Sequence, residues 1–203
     1  MIGPKNPGRS TVYRFMNTMA VHNRGPLIWP ALGRQKITVE KAVDRAVRMI
    51  KAGRSRREIL AHLATTAEMV SGPGAVTSIL VLDESGLLRN GASPNLPADY
   101  LDAIDRLRPN ALVGTCSAAA ATGEIVVTLD FAADEKWKEL RHLPQALGFL
   151  SAWSMPIKSL DGCVIGTFGT YFRERRGPTQ AERDAIKALA PVAALAILDT
   201  HCP

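Results

Sequence analysis

The stretch GFLSAWSMPIKSLDGCVIGTFGTYF, residues 148–172, narrows the folds open to this chain more than any other. It reads as two apolar strands joined by a tight turn, rich in the β-branched and aromatic residues that suit a pleated, half-buried surface. Side chains alternate along a strand, so Phe149, Ser151, Trp153, Met155 and Ile157 share one face while Leu150, Ala152, Ser154 and Pro156 share the other. Trp153 beside two serines has two readings. It packs in a core, or its face lines a small-molecule pocket; on the second reading Trp153 and Met155 form a pocket wall.

The rest of the chain decides what surrounds this hairpin. Apolar positions in residues 37–53 recur at helical spacing, with Thr38 able to cap the start and Gly53 to end it. A second helix over 55–70 opens with Ser55 and Glu58 in capping-box positions and stops at Gly72-Pro73-Gly74. Strands follow at 75–83 and 87–93 around Glu84-Ser85-Gly86, then a helix in ADYLDAIDRL, a short alanine helix in GTCSAAAATG, a strand at 124–130, and the opening hairpin. A last helix starts at Pro178-Thr179 and runs through AIKALAPVAALAIL. Antiparallel strands with inserted helices and a helix at each end make an α+β domain on one central sheet, not a doubly wound one. The final helix is apolar nearly all round, which calls for burial on two sides and predicts a homodimer through the first and last helices.

At 203 residues and 46% apolar content the chain can build one real core. The net charge of +6 sits in residues 1–36, where Lys5, Arg9, Arg14, Arg24, Arg34 and Lys36 meet no acid. This basic, Pro- and Gly-rich arm is set apart from a neutral domain at 37–203; it carries no recognition-helix pattern, so nucleic acid is not expected as a partner, and Trp29 is expected to dock on the domain or a second subunit. No stretch is long and apolar enough for a membrane span, residues 1–36 lack a charged region followed by an apolar one, and Cys116, Cys163 and Cys202 form neither a disulfide pattern nor a metal motif. A cytoplasmic protein with reduced thiols, no metal and no cofactor is expected.

From about residue 75 to 198 the chain resembles the GAF domain family. The resemblance rests on Leu96-Pro97 with Tyr100, GTCSAAA at 114–120, IVVTLDFAADEKW at 125–137, Trp153-Ser154-Met155-Pro156-Ile157, and GCVIGTFGTYFRERRGPTQAE at 162–182. It is similar to the subtype found in bacterial two-component and cyclic-dinucleotide sensors. Two positions depart from that pattern, Ser117-Ala118 for Gly-Thr and Ala152 for a cysteine. The resemblance implies an antiparallel sheet with the terminal helices on one face and a ligand pocket under short helices and loops on the other.

Ligand-binding candidates follow. First-turn amides at Ser117, Ala118 and Ala119 lack helical partners and, with the helix dipole, suit a small anion; the alternative is that Ser117 or Thr115 caps the helix while the alanines pack on the sheet. Cys116, Trp137, Trp153 and Met155 complete the set. The combination resembles nitrate-receptor GAF proteins, which makes nitrate one candidate among small anions and uncharged metabolites. The signature of cyclic-nucleotide binders and the Cys-His pair of bilin binders are missing, and His142 alone lies near the pocket, against haem. A minor alternative is redox sensing or methionine sulfoxide reduction at Cys116, whose thiol at a helix N-terminus would have a depressed pKa. The main expectation is a non-enzymatic sensor that reports to a separate signalling protein. A ligand-free interaction or dimerisation module is the alternative.

Overall fold

The computed structural model describes residues 28–198, with side chains from Thr38 onward. The basic arm to residue 27, the Trp29 side chain, and His201 and Cys202 lie outside the described residues. The chain divides into two compact units, Met1–Arg34 and Gln35–Pro203. The account of packing below concerns the second.

Helix α1 runs Ile28–Lys51. It starts earlier than the expected Ile37, and Pro30 falls in its first turn, where a missing N–H breaks no helical bond. Val39, Ala42 and Ala46 are its buried stripe. Helix α2, Arg56–Ser71, opens with the expected capping box: the Glu58 N–H donates to Ser55 Oγ at 3.4 Å and the Ser55 N–H to Glu58 Oε2 at 3.1 Å. Five strands, β1 (Val76–Leu82), β2 (Leu88–Ala92), β3 (Val126–Thr128), β4 (Ser151–Lys158) and β5 (Val164–Phe172), pair antiparallel in the order β2-β1-β5-β4-β3. Between them lie α3 (Ala98–Ala103), α4 (Thr115–Thr122), a 3₁₀ turn (Glu135–Trp137) and α5 (His142–Ala146); α6 (Gln180–Leu198) closes the chain. Helix α3 stops short of the expected Leu107 because Arg106 turns left-handed at φ 64°, and Leu107 bridges to Leu88 instead.

The sheet separates two chemically different faces. Cross-strand pairs place Trp153 and Thr170, Met155 and Phe168, and Ile157 and Gly166 on one side. There Trp153, Met155, Ile157, Phe168 and Phe172 pack with α1, α2 and α6. On the other side lie Ala152 and Tyr171, Ser154 and Gly169, and Pro156 and Thr167. The expected alternation holds from Ser151 to Ile157, but Phe149, expected on the Trp153 face, precedes β4 and packs with Ala152 and Tyr171 on the other side, 5.4 Å from the Tyr171 ring. The faces are also reversed: Trp153 and Met155 belong to the helix-facing core, not to a wall of the cavity side of the sheet. Large rings fill the thick layer under three helices, whereas Ala152, Ser154 and Gly169 are small enough for α4 to settle on the strands.

Helix α6 is fastened at its start by a second capping box, Thr179 with Glu182. Glu182 is almost fully buried and takes both prongs of Arg176, at 2.9 and 2.8 Å. The same guanidinium donates to the Ser71 carbonyl at 3.3 Å and lies 3.6 Å over the Phe172 ring, tying α2, β5 and α6 at one point. Within α6, Ala185, Ile186, Leu189, Val192, Ala193 and Ala196 are buried in this fold. That removes most of the reason for expecting a mate: Leu189 and Ala193 are wholly covered by the domain itself, and among the large apolar side chains of the helix only Leu195 and Leu198 stand half-exposed.

Candidate functional site

Helix α4 sits on the small-residue face. Gly114, its N-cap, has φ 56°, a conformation that favours glycine, and a side chain there would meet the Trp137 ring at 3.7 Å. The Gly114 N–H donates to the Lys136 carbonyl at 2.8 Å, which joins the start of α4 to the turn carrying Trp137. That turn belongs to a cover over residues 130–148. Asp134 caps it, accepting from Thr128 Oγ1 at 2.7 Å and Lys136 Nζ at 2.8 Å; the Phe131 N–H donates to the Leu150 carbonyl at 2.9 Å, and the Phe131 and Trp137 rings meet edge to face at 4.5 Å.

Because α4 begins at Thr115, the amides that helix geometry leaves over are those of Thr115, Cys116 and Ser117. The amides of Ala118 and Ala119, expected at the site, fall within the helical ladder. Ser117 does not cap the helix: its hydroxyl donates to the Arg108 carbonyl at 2.9 Å and accepts from the Asn110 N–H at 2.9 Å, fastening the preceding loop. Ala118 and Ala119 are buried and take no part in lining the cavity.

The cavity beneath α4 is about 20 Å³, room for about one water molecule. Leu80, Ile104, Leu107 and Leu140 line it with Gly114, Thr115, Cys116, Ser117, Trp137 and Tyr171. Of the expected site residues, the structure brings together Cys116, Ser117 and Trp137; it sends Trp153 and Met155 to the opposite face. It adds Thr115 and Tyr171, and behind them Tyr100, whose ring meets Tyr171 edge to face at 5.9 Å. Thr167 on β5 stands against the Cys116 thiol. Four buried polar atoms here have no hydrogen-bond partner: Tyr100 Oη, Thr115 Oγ1, Trp137 Nε1 and Thr167 Oγ1.

Every acid in this cluster is held in its neutral form. Burial pushes the Tyr100 hydroxyl above its ordinary range, and it pushes Tyr171 up too, with Tyr100 and Cys116 as close neighbours adding to the effect. Burial raises the Cys116 thiol, outweighing the hydrogen bond from Ser154 Oγ and the nearness of the Thr167 and Thr115 hydroxyls, which favour the thiolate. The depressed thiol expected from the helix dipole is therefore reversed. Cys163, by contrast, is exposed in the β4–β5 turn. In a Cys202→Ser background, iodoacetamide at about pH 8.5 is expected to label Cys163 in the native protein and to reach Cys116 only on unfolding. Native labelling of Cys116 at the faster rate would show that the thiol is neither buried nor neutral.

The chain belongs to the GAF domain family, whose family model matches residues 53–198. It is 34% identical over 155 residues to a methyl sulfide methyltransferase-associated sensor of Methanosarcina acetivorans, an alignment covering 76% of this chain and 15% of that protein. This chain thus corresponds to a small part of that relative. Among solved structures, the GAF domain of a phosphoenolpyruvate-protein phosphotransferase from Coxiella burnetii superposes with a TM-score of 0.64 at 16% identity, over 79% of this chain and 93% of that one. A free methionine-R-sulfoxide reductase from Neisseria meningitidis gives 0.63 at 17% identity, over 82% and 89%. At these identities the two structures share the fold. No helix among the described residues is long and apolar enough to cross a membrane.

Proposed function

We propose that this GAF domain is a non-catalytic sensing module of the cytoplasm that takes a small ligand into the cavity beneath α4 and passes its occupancy to a signalling partner. The observation that carries the reading is the pair of unpartnered polar atoms on residues lining this cavity, Thr115 Oγ1 and Trp137 Nε1, with Thr167 Oγ1 and Tyr100 Oη unpartnered just behind the lining, beside Cys116 and Tyr171. An unmet buried donor costs about 1–3 kcal/mol, and a ligand carrying acceptor atoms recovers that loss when it binds. Trp137 Nε1 can only donate, so the ligand presents an acceptor to it. Nitrate has the acceptors for this site, and the amides of Thr115, Cys116 and Ser117 at the start of α4 suit its charge. The present cavity is smaller than any such ligand, so binding displaces the cover over residues 130–148. A neutral, buried Cys116 is a poor nucleophile, which favours sensing over the reductase chemistry of the Neisseria protein.

Thermal melting in the presence of nitrate, nitrite, formate, small carboxylates and a neutral sulfoxide tests the reading, since a ligand of the folded state raises the melting temperature with concentration. Thr167→Val supplies the control. It replaces an unpartnered hydroxyl by a methyl group, so the empty protein is expected to gain about 1 kcal/mol of stability while losing the ligand-dependent shift. A loss of stability in Thr167→Val, with the shift kept, would place the ligand elsewhere or mean that the hydroxyl already has a partner.

A further inference from the structure

Helix α6 and strand β4 leave an apolar groove of about 440 Å³ on the surface, whose lining includes Met155, Leu160, Leu195 and Leu198. Leu160 is fully exposed at the β4–β5 turn, and Leu195 and Leu198 are 53% and 50% exposed. Apolar side chains scattered singly over a surface are ordinary; here three leucines converge on one groove. Two lysines, Lys158 and Lys187, also line the groove, both exposed, and no carboxylate does.

Charge selects the occupant. A second copy docking groove to groove would bring the lysines of one onto those of the other. The arm at 1–27 is no better, because it carries Lys5, Arg9, Arg14 and Arg24 and no acid. We propose that the groove docks an amphipathic helix of a signalling partner whose apolar stripe is flanked by Asp or Glu. The leucines and the Met155 floor take the stripe at helical spacing, and Lys158 and Lys187 meet the flanking carboxylates. The proposal is independent of what the cavity beneath α4 binds, because that cavity lies on the opposite face of the sheet.

The test uses the whole 203-residue chain. Fluorescence anisotropy compares a labelled helical peptide of about 18 residues, with leucines at i, i+3, i+4 and i+7 and flanking glutamates, against its twin with lysines for glutamates. The acidic peptide is expected to bind roughly tenfold or more tightly than the basic one, with the difference shrinking as salt is raised. Leu195→Asp and Leu198→Asp, at half-exposed positions, are each expected to weaken it about tenfold with the cooperative thermal melt retained. Lys158→Glu with Lys187→Glu is expected to invert the preference. Equal affinity for the two peptides, or no binding of the acidic one, overturns the proposal. So does a dimer by sedimentation that Leu195→Asp dissolves, which would make a second copy the occupant, or peptide binding seen only after deletion of residues 1–27, which would make it the arm.

Discussion

Replacing Arg176 with methionine is expected to cost about 3–5 kcal/mol of stability at pH 7, the penalty for leaving a buried carboxylate without its partner. Glu182 is only 3% exposed. Burial by itself raises its carboxyl, but the Arg176 guanidinium and the amide and hydroxyl of Thr179 outweigh that and hold it below the usual carboxylate range. A folded-state value below the unfolded one means that Glu182 stabilises the wild type fully above the unfolded carboxylate range, and that this contribution is lost as pH falls through the lower folded value. Without the guanidinium the balance reverses. Burial then raises the folded value above the unfolded one, so the variant is relatively most stable in acid and loses ground as pH rises through the carboxylate range. The gap between wild type and Arg176→Met should therefore narrow from pH 7 to about pH 4, measured by urea unfolding at each. Glu182→Leu combined with Arg176→Met should recover most of the loss. An equal gap at both pH values would mean that Glu182 is solvated and that the fork is incidental.

That ion pair was hardly visible in the amino-acid sequence, where Arg176 stands among Arg173, Glu174 and Arg175 and all look like solvated charges. What singles it out is position: only Arg176 lies both over Phe172 and against the end of α2. Elements set by local rules were legible. The Ser55–Glu58 box, the hairpin strands and the helix over GTCSAAAATG each follow from residues close in sequence. The faces of the hairpin were legible as a pair but not in their assignment, because alternation says which side chains go together and not what covers them. Size holds the missing signal. Ala152, Ser154 and Gly169 form the smaller face, and a helix of alanines is what fits against it, whereas Trp153, Met155 and Phe168 need the deeper layer. Of the candidate cavity, Cys116, Ser117 and Trp137 were legible, whereas Thr115, Tyr171 and the nearby Tyr100 and Thr167 were not, since a tyrosine or threonine in a strand or short helix has no sequence mark that its hydroxyl lacks a partner. Glu68 was missed because its partners lie on other elements: buried on α2, it accepts the Thr77 N–H at 2.9 Å and Asn95 Nδ2 at 2.6 Å.

The contact that seats α4 on the sheet gives the second large effect. A Cβ at Gly169 would stand 2.5 Å from Cys116 Sγ, far inside contact distance, and the sulfur is on a short side chain of a packed helix that cannot swing away. Gly169→Ala is therefore expected to cost about 1–3 kcal/mol by forcing α4 off β5, despite the gain that alanine ordinarily brings by restricting the unfolded chain. Cys116→Ala removes the opposing atom. On its own it leaves a small void and a modest loss, but combined with Gly169→Ala it exchanges one heavy atom for another across the same gap, so the double variant should be more stable than Gly169→Ala alone. Chemical denaturation of the four proteins measures the coupling directly. Because Cys116 also lines the cavity, the cycle has a functional reading: Gly169→Ala should weaken the ligand-induced rise in melting temperature and the double variant should restore it. A Gly169→Ala protein as stable as wild type, or a double variant no better than the single, would mean that α4 does not rest on β5 through this pair, and the cavity built on that contact would have to be redrawn.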